Sequence, residues 1–184
     1  MGEDKARLQL EGKALLERVL EVVGPLCQAT VVVVAQGQDL GWLPAFPNTR
    51  MVPDEHPYRG PLAGLYAGLK ASASQYNLVV ACDLPFLSGP LLEYLLAQAR
   101  GYDAVVPMAQ GRKQTLHAVY SRDCLEVAET LLGREGTGLK DLLEIVKTQY
   151  VTEEAAAVYD PTLRTFFNVN TPEDLAEAER LLEG

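Results

Sequence analysis

The sequence predicts an α/β fold with a mostly parallel sheet. Three observations carry that prediction. Short apolar runs recur along the chain, at Thr30 to Ala35, Leu78 to Cys82 and Asp103 to Pro107. A continuous apolar run of that length, bounded by turn signals, reads as a strand buried on both faces. Segments with apolar residues at helical spacing lie between these runs, and strand alternating with helix is the pattern of a parallel sheet covered by helices.

With 184 residues the chain is expected to form one domain, residues 1–184, with a substantial core. The formal net charge of −9 argues against nucleic acid or an anionic membrane surface as the main partner, since both select basic patches. An anionic small molecule held by a few local donors remains compatible. Cys27, Cys82 and Cys124 form no C-x-x-C pair and no even disulfide set, and His56 and His117 offer no zinc spacing. A reduced, cytoplasmic setting is expected. No apolar stretch approaches the ~20 residues of a membrane helix, and no basic-then-apolar leader opens the chain.

The elements follow in order. Residues 1–5 are polar and open without a strand. Leu15, Leu16, Val19, Leu20 and Val23 repeat at helical spacing, and Gly24-Pro25 stops that helix. Thr30 to Ala35 is a strand broken by Gln36-Gly37. Gly41 to Phe46 contains Pro44 and reads as a turn. Arg50 to Asp54 is a short strand ending at an acid. Gly60-Pro61 opens a helix that runs to about Ser72. Leu78 to Cys82 is a strand, and Ser88 caps the next helix, with Pro90 in its first turn. Asp103 to Pro107 is a strand, residues 110–113 a polar turn, and Thr115 to Tyr120 an extended run. Helices over 123–132 and 139–146 flank a glycine-punctuated loop. Thr148 to Val151 reads as a short edge strand and Phe166 to Val169 as a last strand. Thr171 caps the closing helix, and Asp174 stands where a capping box would have Glu or Gln.

Three strand ends carry a polar side chain: Asp54, Asp83 and Asn170. Parallel strands place their carboxyl ends on one edge, where ligands bind in open α/β sheets. Asp83 alone is as readily a turn cap as a ligand. The start of the helix at Gly60 to Leu65 can face a phosphate or a base edge through its backbone N–H groups; the plain alternative is an ordinary proline-started helix, with Gly64 for close packing. Lys5 is a phosphate ligand by charge, or a solvated lysine. His117 lies in a strand-like run and is either structural or part of a site. Arg112 and Lys113 are placed to meet an anion or to remain surface charge. Asn168, if buried, needs a partner.

Five motifs occur in order: Met-Gly-x-Asp-Lys-Ala at 1–6, Gly-Pro-Leu-Ala-Gly at 60–64, Ala-Cys-Asp-Leu-Pro-Phe at 81–86, Leu-His-Ala-Val-Tyr at 116–120 and Asn-Val-Asn-Thr-Pro-Glu-Asp-Leu at 168–175. Together they resemble the molybdenum cofactor guanylyltransferases, which join GMP to molybdopterin. The resemblance runs end to end. It implies a three-layer, Rossmann-like nucleotidyltransferase fold and transfer of GMP from GTP with release of pyrophosphate. It implies Asp83 as the Mg2+ ligand and Lys5 as the lysine that neutralises the phosphates, these two being catalytic. It implies Asp54, Gly60, Pro61 and Gly64 on the nucleotide side, and Asn168, Asn170 and His117 on the molybdopterin side. GTP and molybdopterin are the implied small-molecule partners, with cofactor-biosynthesis proteins and acceptor molybdoenzymes as macromolecular ones. The two asparagines favour guanylyl over cytidylyl transfer. A cytidylyl- or sugar-phosphate nucleotidyltransferase and a catalytically impaired nucleotide-binding homologue are the alternatives.

The resemblance also implies a strand and a glycine-rich phosphate loop before Met1, with the strand lying between the second strand and the one leading to Asp83. This sequence begins at the Met-Gly of that loop, so a start upstream of Met1 is expected. Tyr58, where the family commonly has glycine, bears on the base pocket. Thr115, where it often has proline, is expected to affect only the strand edge.

Overall fold

A computed structural model of the chain describes residues 5–183. The first four residues of the opening motif lie outside that range. A short hairpin leads in: β1 (Gln9–Leu10) pairs antiparallel with β2 (Lys13–Ala14). Its turn places Glu11 at φ 51° and Gly12 at φ 74°, the left-handed pair that a two-residue hairpin requires. Leu10 is thereby buried. Helix α1 (Leu15–Val23) follows, and all five of its predicted apolar positions are buried.

Strand β3 (Thr30–Val34) pairs in parallel with β4 (Thr49–Pro53). Helix α2 (Pro61–Ala71) leads to β5 (Tyr76–Val80), and α3 (Gly89–Ala97) leads to β6 (Ala104–Ala109). Strands β7 (Arg112–Lys113) and β8 (His117–Ser121) follow with no intervening helix. Then come α4 (Cys124–Leu132), α5 (Leu139–Ile145), β9 (Thr148–Val151), α6 (Glu153–Ala157) and α7 (Pro172–Glu183).

The sheet is mixed, which corrects the expectation of a mostly parallel one. Strand β8 inserts between β5 and β6 and runs antiparallel to both, while β6 is parallel to β9 and antiparallel to β7. The cause is the connection. Parallel neighbours need a crossover of a dozen or more residues, whereas antiparallel ones accept a short turn. After β6 the chain reverses at Gln110-Gly111, both at positive φ, and runs straight into β7 and β8.

Alternation along the central strands sorts the layers. Ala104 and Val106 of β6, with Ala118 and Tyr120 of β8, pack under α2, α4 and α5. Val105 and Val119 face the opposite way, toward α3 and α6. Helix α1 covers a neighbouring core with Val32 and Val34 of β3 and Leu78 and Val80 of β5. The result is helix, sheet, helix, as the resemblance implies.

The described strands form separate sheets: β3–β4 on one side, and the five strands containing β5 on the other. Among the described residues β3 pairs only with β4 and β5 only with β8. Both therefore have an open edge, and both border the core under α1. All residues of β3 and β5 are half-buried, whereas every residue of β8 is buried.

Phe166 to Val169 forms no strand. Arg164–Phe166 is a single 3-10 turn entered through Leu163 at φ 52°, and the residues up to Asn170 are irregular. Among the described residues no helix is long and apolar enough to cross a membrane.

Candidate active site

Asp83 lies three residues past the end of β5, in the loop before α3. Its carboxylate is drawn upon from two sides. Lys5 Nζ lies 3.5 Å from Oδ2, and Asn168 Nδ2 donates to Oδ1 at 3.2 Å. Lys5 also donates to Asn170 Oδ1 at 2.6 Å. Four residues from the start, middle and end of the chain thus converge. The backbone joins them too, since the Val169 N–H donates to the Asp83 carbonyl at 2.9 Å. The Asp83 side chain is 14% exposed and that of Lys5 37%, so the cluster is open enough to meet a ligand.

Local sequence explains how the asparagines arrive there. Thr171 accepts the Asp174 N–H at 3.1 Å, and Asp174 Oδ2 accepts the N–H groups of Asn170 and Thr171, each at 2.8 Å. An aspartate thus closes the reciprocal cap that usually takes Glu or Gln. These backbone hydrogen bonds hold the Asp174 carboxyl below its ordinary pKa, Asn170 contributing most. The same cap fixes the backbone of Asn170, whose side chain reaches Lys5.

Asp54 follows β4, and its N–H donates to the Val34 carbonyl at 2.7 Å, extending the β3–β4 ladder by one step. Its Oδ1 accepts the His56 N–H at 2.8 Å, turning the chain toward α2. Gly60 precedes α2 at φ 65°, a backbone that side chains rarely adopt, with open space where a Cβ would be. Gly64 is equally open. No side chain caps the first turn of α2; Pro61 has no N–H, and the Ala63 N–H donates to the Gly60 carbonyl at 3.1 Å.

Two adjoining cavities lie beside Gly60 and Pro61. One, of about 330 Å³, is bounded by Pro61, Thr115, Thr137, Gly138 and Asp141. The other, of about 350 Å³, is bounded by Tyr58, Arg59, Gly60, Gly136 and Thr137. Neither is lined by Lys5, Asp83, Asn168 or Asn170. The structure therefore assembles the polar cluster and the Gly60 wall as two regions, and Thr115, in the turn before β8 rather than in a strand, lines the first cavity.

Arg59 was not singled out by the sequence. Its guanidinium donates to the Leu131 carbonyl at 3.3 Å and to the Arg134 carbonyl, where a cation suits the C-terminal end of α4. Thr137 binds the same two carbonyls. Arg59 and Thr137 together hold the α4–α5 loop across from the start of α2. A lone arginine in a polar loop gives no signal of this; the flanking Tyr58 and Gly60, both at positive φ, are the nearest thing to one.

His117 does not join the polar cluster. It is 2% exposed, its Nε2 lies 3.4 Å from Thr165 Oγ1, and its ring meets Phe166 edge-on. Burial pushes its pKa down to about 4, opposed by Asp160 and a Thr165 backbone hydrogen bond. It is a neutral, enclosed imidazole. Lys113 pairs with Glu144 at 2.6 Å, away from this cluster.

Comparison with known proteins decides the family. A model of the MobA-like NTP transferase domain matches residues 1–155. The chain belongs to that family. A Pelotomaculum thermopropionicum protein named "Probable molybdenum cofactor guanylyltransferase" is 36% identical, covering 100% of this chain and 87% of its own. A Desulfosudis oleivorans molybdenum cofactor guanylyltransferase is 33% identical over 99% of this chain and 89% of its own. The crystal structure of molybdopterin-guanine dinucleotide biosynthesis protein A from Archaeoglobus fulgidus superposes with a TM-score of 0.84 at 30% identity, covering 99% of this chain and 92% of that one. A Thermus thermophilus 2-C-methyl-D-erythritol 4-phosphate cytidylyltransferase, at 22% identity and a TM-score of 0.72, shares the fold. This member of the MobA-like family is accordingly a nucleotidyltransferase of Rossmann-like α/β fold. Among its described residues no group of three or more His, Cys, Asp or Glu side chains could hold a metal.

Proposed function

We propose that the protein transfers GMP from GTP to molybdopterin, releasing pyrophosphate. The carrying observation is the convergence of Lys5, Asp83, Asn168 and Asn170 in a chain similar end to end to guanylyltransferases of the molybdenum cofactor. In the reaction a phosphate oxygen of molybdopterin bonds to the α-phosphorus of GTP, and the bond from that phosphorus to the pyrophosphate oxygen breaks. Such transfer leaves the protein mainly positioning and charge neutralisation. Lys5 supplies positive charge to the phosphates. Asn168 fixes one oxygen of Asp83, and Asn170 holds the Lys5 ammonium. Asp54, Gly60, Pro61 and Gly64 border the nucleoside.

The donor set fits Mg2+. This ion takes oxygen ligands and commonly uses one or two carboxylates, with substrate phosphates and waters completing its shell. Asp83, partly exposed and backed by Asn168, supplies the one carboxylate. Bound there, the ion would neutralise phosphate charge.

The test gives the purified protein GTP, Mg2+ and molybdopterin. Pyrophosphate and the guanine dinucleotide are expected. Absence of product, or use of CTP in preference to GTP, would sink the reading.

A further inference from the structure

The loop from Asp83 to Ser88 is tied to residues 159–169 at both of its ends. At the Asp83 end the ties are the Val169 N–H to the Asp83 carbonyl and the Asn168 amide to the carboxylate. At the Ser88 end, the Ser88 N–H donates to Thr165 Oγ1 at 3.1 Å, and the Ser88 hydroxyl donates to the Tyr159 carbonyl at 3.2 Å. Thr165 is fully buried. Its own N–H donates to Asp160 Oδ2 at 2.9 Å, and its hydroxyl sits 3.4 Å from His117 Nε2. Oγ1 thus accepts from the Ser88 N–H while meeting the imidazole nitrogen on its other side. Two packed ring pairs fill the space between the ends: His117 with Phe166 at 4.9 Å, and Phe86 with Phe167 at 5.8 Å.

From this arrangement we infer that Thr165 is a positioning residue. Its hydroxyl, seated between Ser88 and His117, sets where Asn168 stands relative to Asp83. The segment needs such a device. Residues 163–170 contribute one 3-10 turn and no ladder pairing, so the sheet does not fix their place. The ties at Asp83 hold the segment at one end; the Ser88 N–H on Thr165 Oγ1, inside the buried middle, fixes the other end to the same loop. His117 acts through Thr165 from beneath the site and needs no contact with substrate. This role rests on the proposed transfer reaction only for its kinetic consequence; the positional claim stands on the geometry.

The test compares Thr165→Val, which keeps the shape and loses the hydroxyl, with Thr165→Ser, which keeps the hydroxyl. Hydrogen exchange at the Val169 N–H reads the position directly, without catalysis. About tenfold faster exchange is expected in T165V, the scale of one lost hydrogen bond, with near-native exchange in T165S and in both a native-like exchange pattern in β6 and β8. In the transferase assay T165V should lose kcat by roughly tenfold or more, as misplacement of positioning groups does, with KM for GTP unchanged and T165S rescuing. Native Val169 exchange in T165V would overturn the inference, whether or not the chain transfers GMP. If T165V unfolds, Ser88→Ala, which removes the bond to the Tyr159 carbonyl and the cap on the Leu91 N–H of α3, must raise Val169 exchange more than exchange within α3, or the inference fails.

Discussion

Lys5 and Asp83 meet at 3.5 Å across most of the first half of the chain, and Asn170 holds the same ammonium at 2.6 Å from the far end. The pair is partly exposed, so its worth to stability is small, about 0–1 kcal/mol. A contact that closes such long loops for so little stability suits a ligand site better than a structural tie. Asp83→Asn is therefore expected to lower turnover by about 100-fold or more while shifting the melting temperature little. Near-normal turnover would remove Asp83 from the reaction.

Gly64 separates stability from binding. It lies within α2, and a Cβ there meets nothing within 4 Å. Gly64→Ala should stabilise the fold by about 0.5–1 kcal/mol through helix propensity. If the nucleoside lies against this face, the same methyl weakens GTP binding. Calorimetry on one variant reads both, and unchanged GTP affinity would place the nucleoside elsewhere. Gly60→Ala should behave differently, since φ 65° penalises any side chain; its melting temperature should fall.

His117 predicts an acid limit. Its folded pKa is about 4 because burial disfavours the charged ring, against ~6.5 in an unfolded chain. Below pH 6.5 the unfolded state takes up a proton that the folded state refuses. Stability is thus full above pH 6.5 and falls by about 3 kcal/mol by pH 4 from this one group. Urea unfolding between pH 4 and 7 should show that slope, and His117→Leu should flatten it. Equal slopes in both proteins would contradict the assignment.

Asp174 titrates in the other sense. Its lowered pKa means the cap contributes above the ordinary carboxylate range and is lost as pH falls through the folded value. Asp174→Ala should lower the melting temperature at pH 7, with the gap to wild type closing in acid. It should also weaken the Lys5 contact, because Asn170 loses its backbone anchor.

Apolar runs located β3, β5 and β6 because a strand buried on both faces needs nothing but apolar residues. Direction is not written in such a run, so the antiparallel insertion of β8 was invisible; the short link from β6 was the clue. Phe166 to Val169 looked like a strand because two aromatics mimic one, yet their rings pair with Phe86 and His117 and no ladder forms. The β1–β2 hairpin was missed because Glu11-Gly12 lacks the usual Asn-Gly signature. Motif order singled out Asp83, Lys5 and the asparagines, and the fold brings their side chains together; their part in the reaction belongs to the proposal. His117 was read on the substrate side, and only three-dimensional burial shows it enclosed. Arg59 reaches backbone carbonyls, and the Thr165 hydroxyl meets a backbone N–H and an imidazole; such partners lie far apart in sequence.

Among the described residues β3 pairs only with β4 and β5 only with β8, so each has an edge without a ladder partner. Backbone donors and acceptors along a strand edge look for partners, and half-buried valines beside them add apolar surface. Val32 and Val34 share one core with Leu78 and Val80, so one inserted strand could pair with both edges and cover that core. A form of the chain extended upstream by an apolar strand and glycine-rich loop should therefore melt higher than the 184-residue chain. Amide exchange should slow in β3 and β5 specifically, with β6 and β8 unchanged. GTP affinity should rise in parallel, since the added loop would present backbone N–H groups to the phosphates. Exchange in β3 and β5 that ignores the extension would mean that their edges do not receive it.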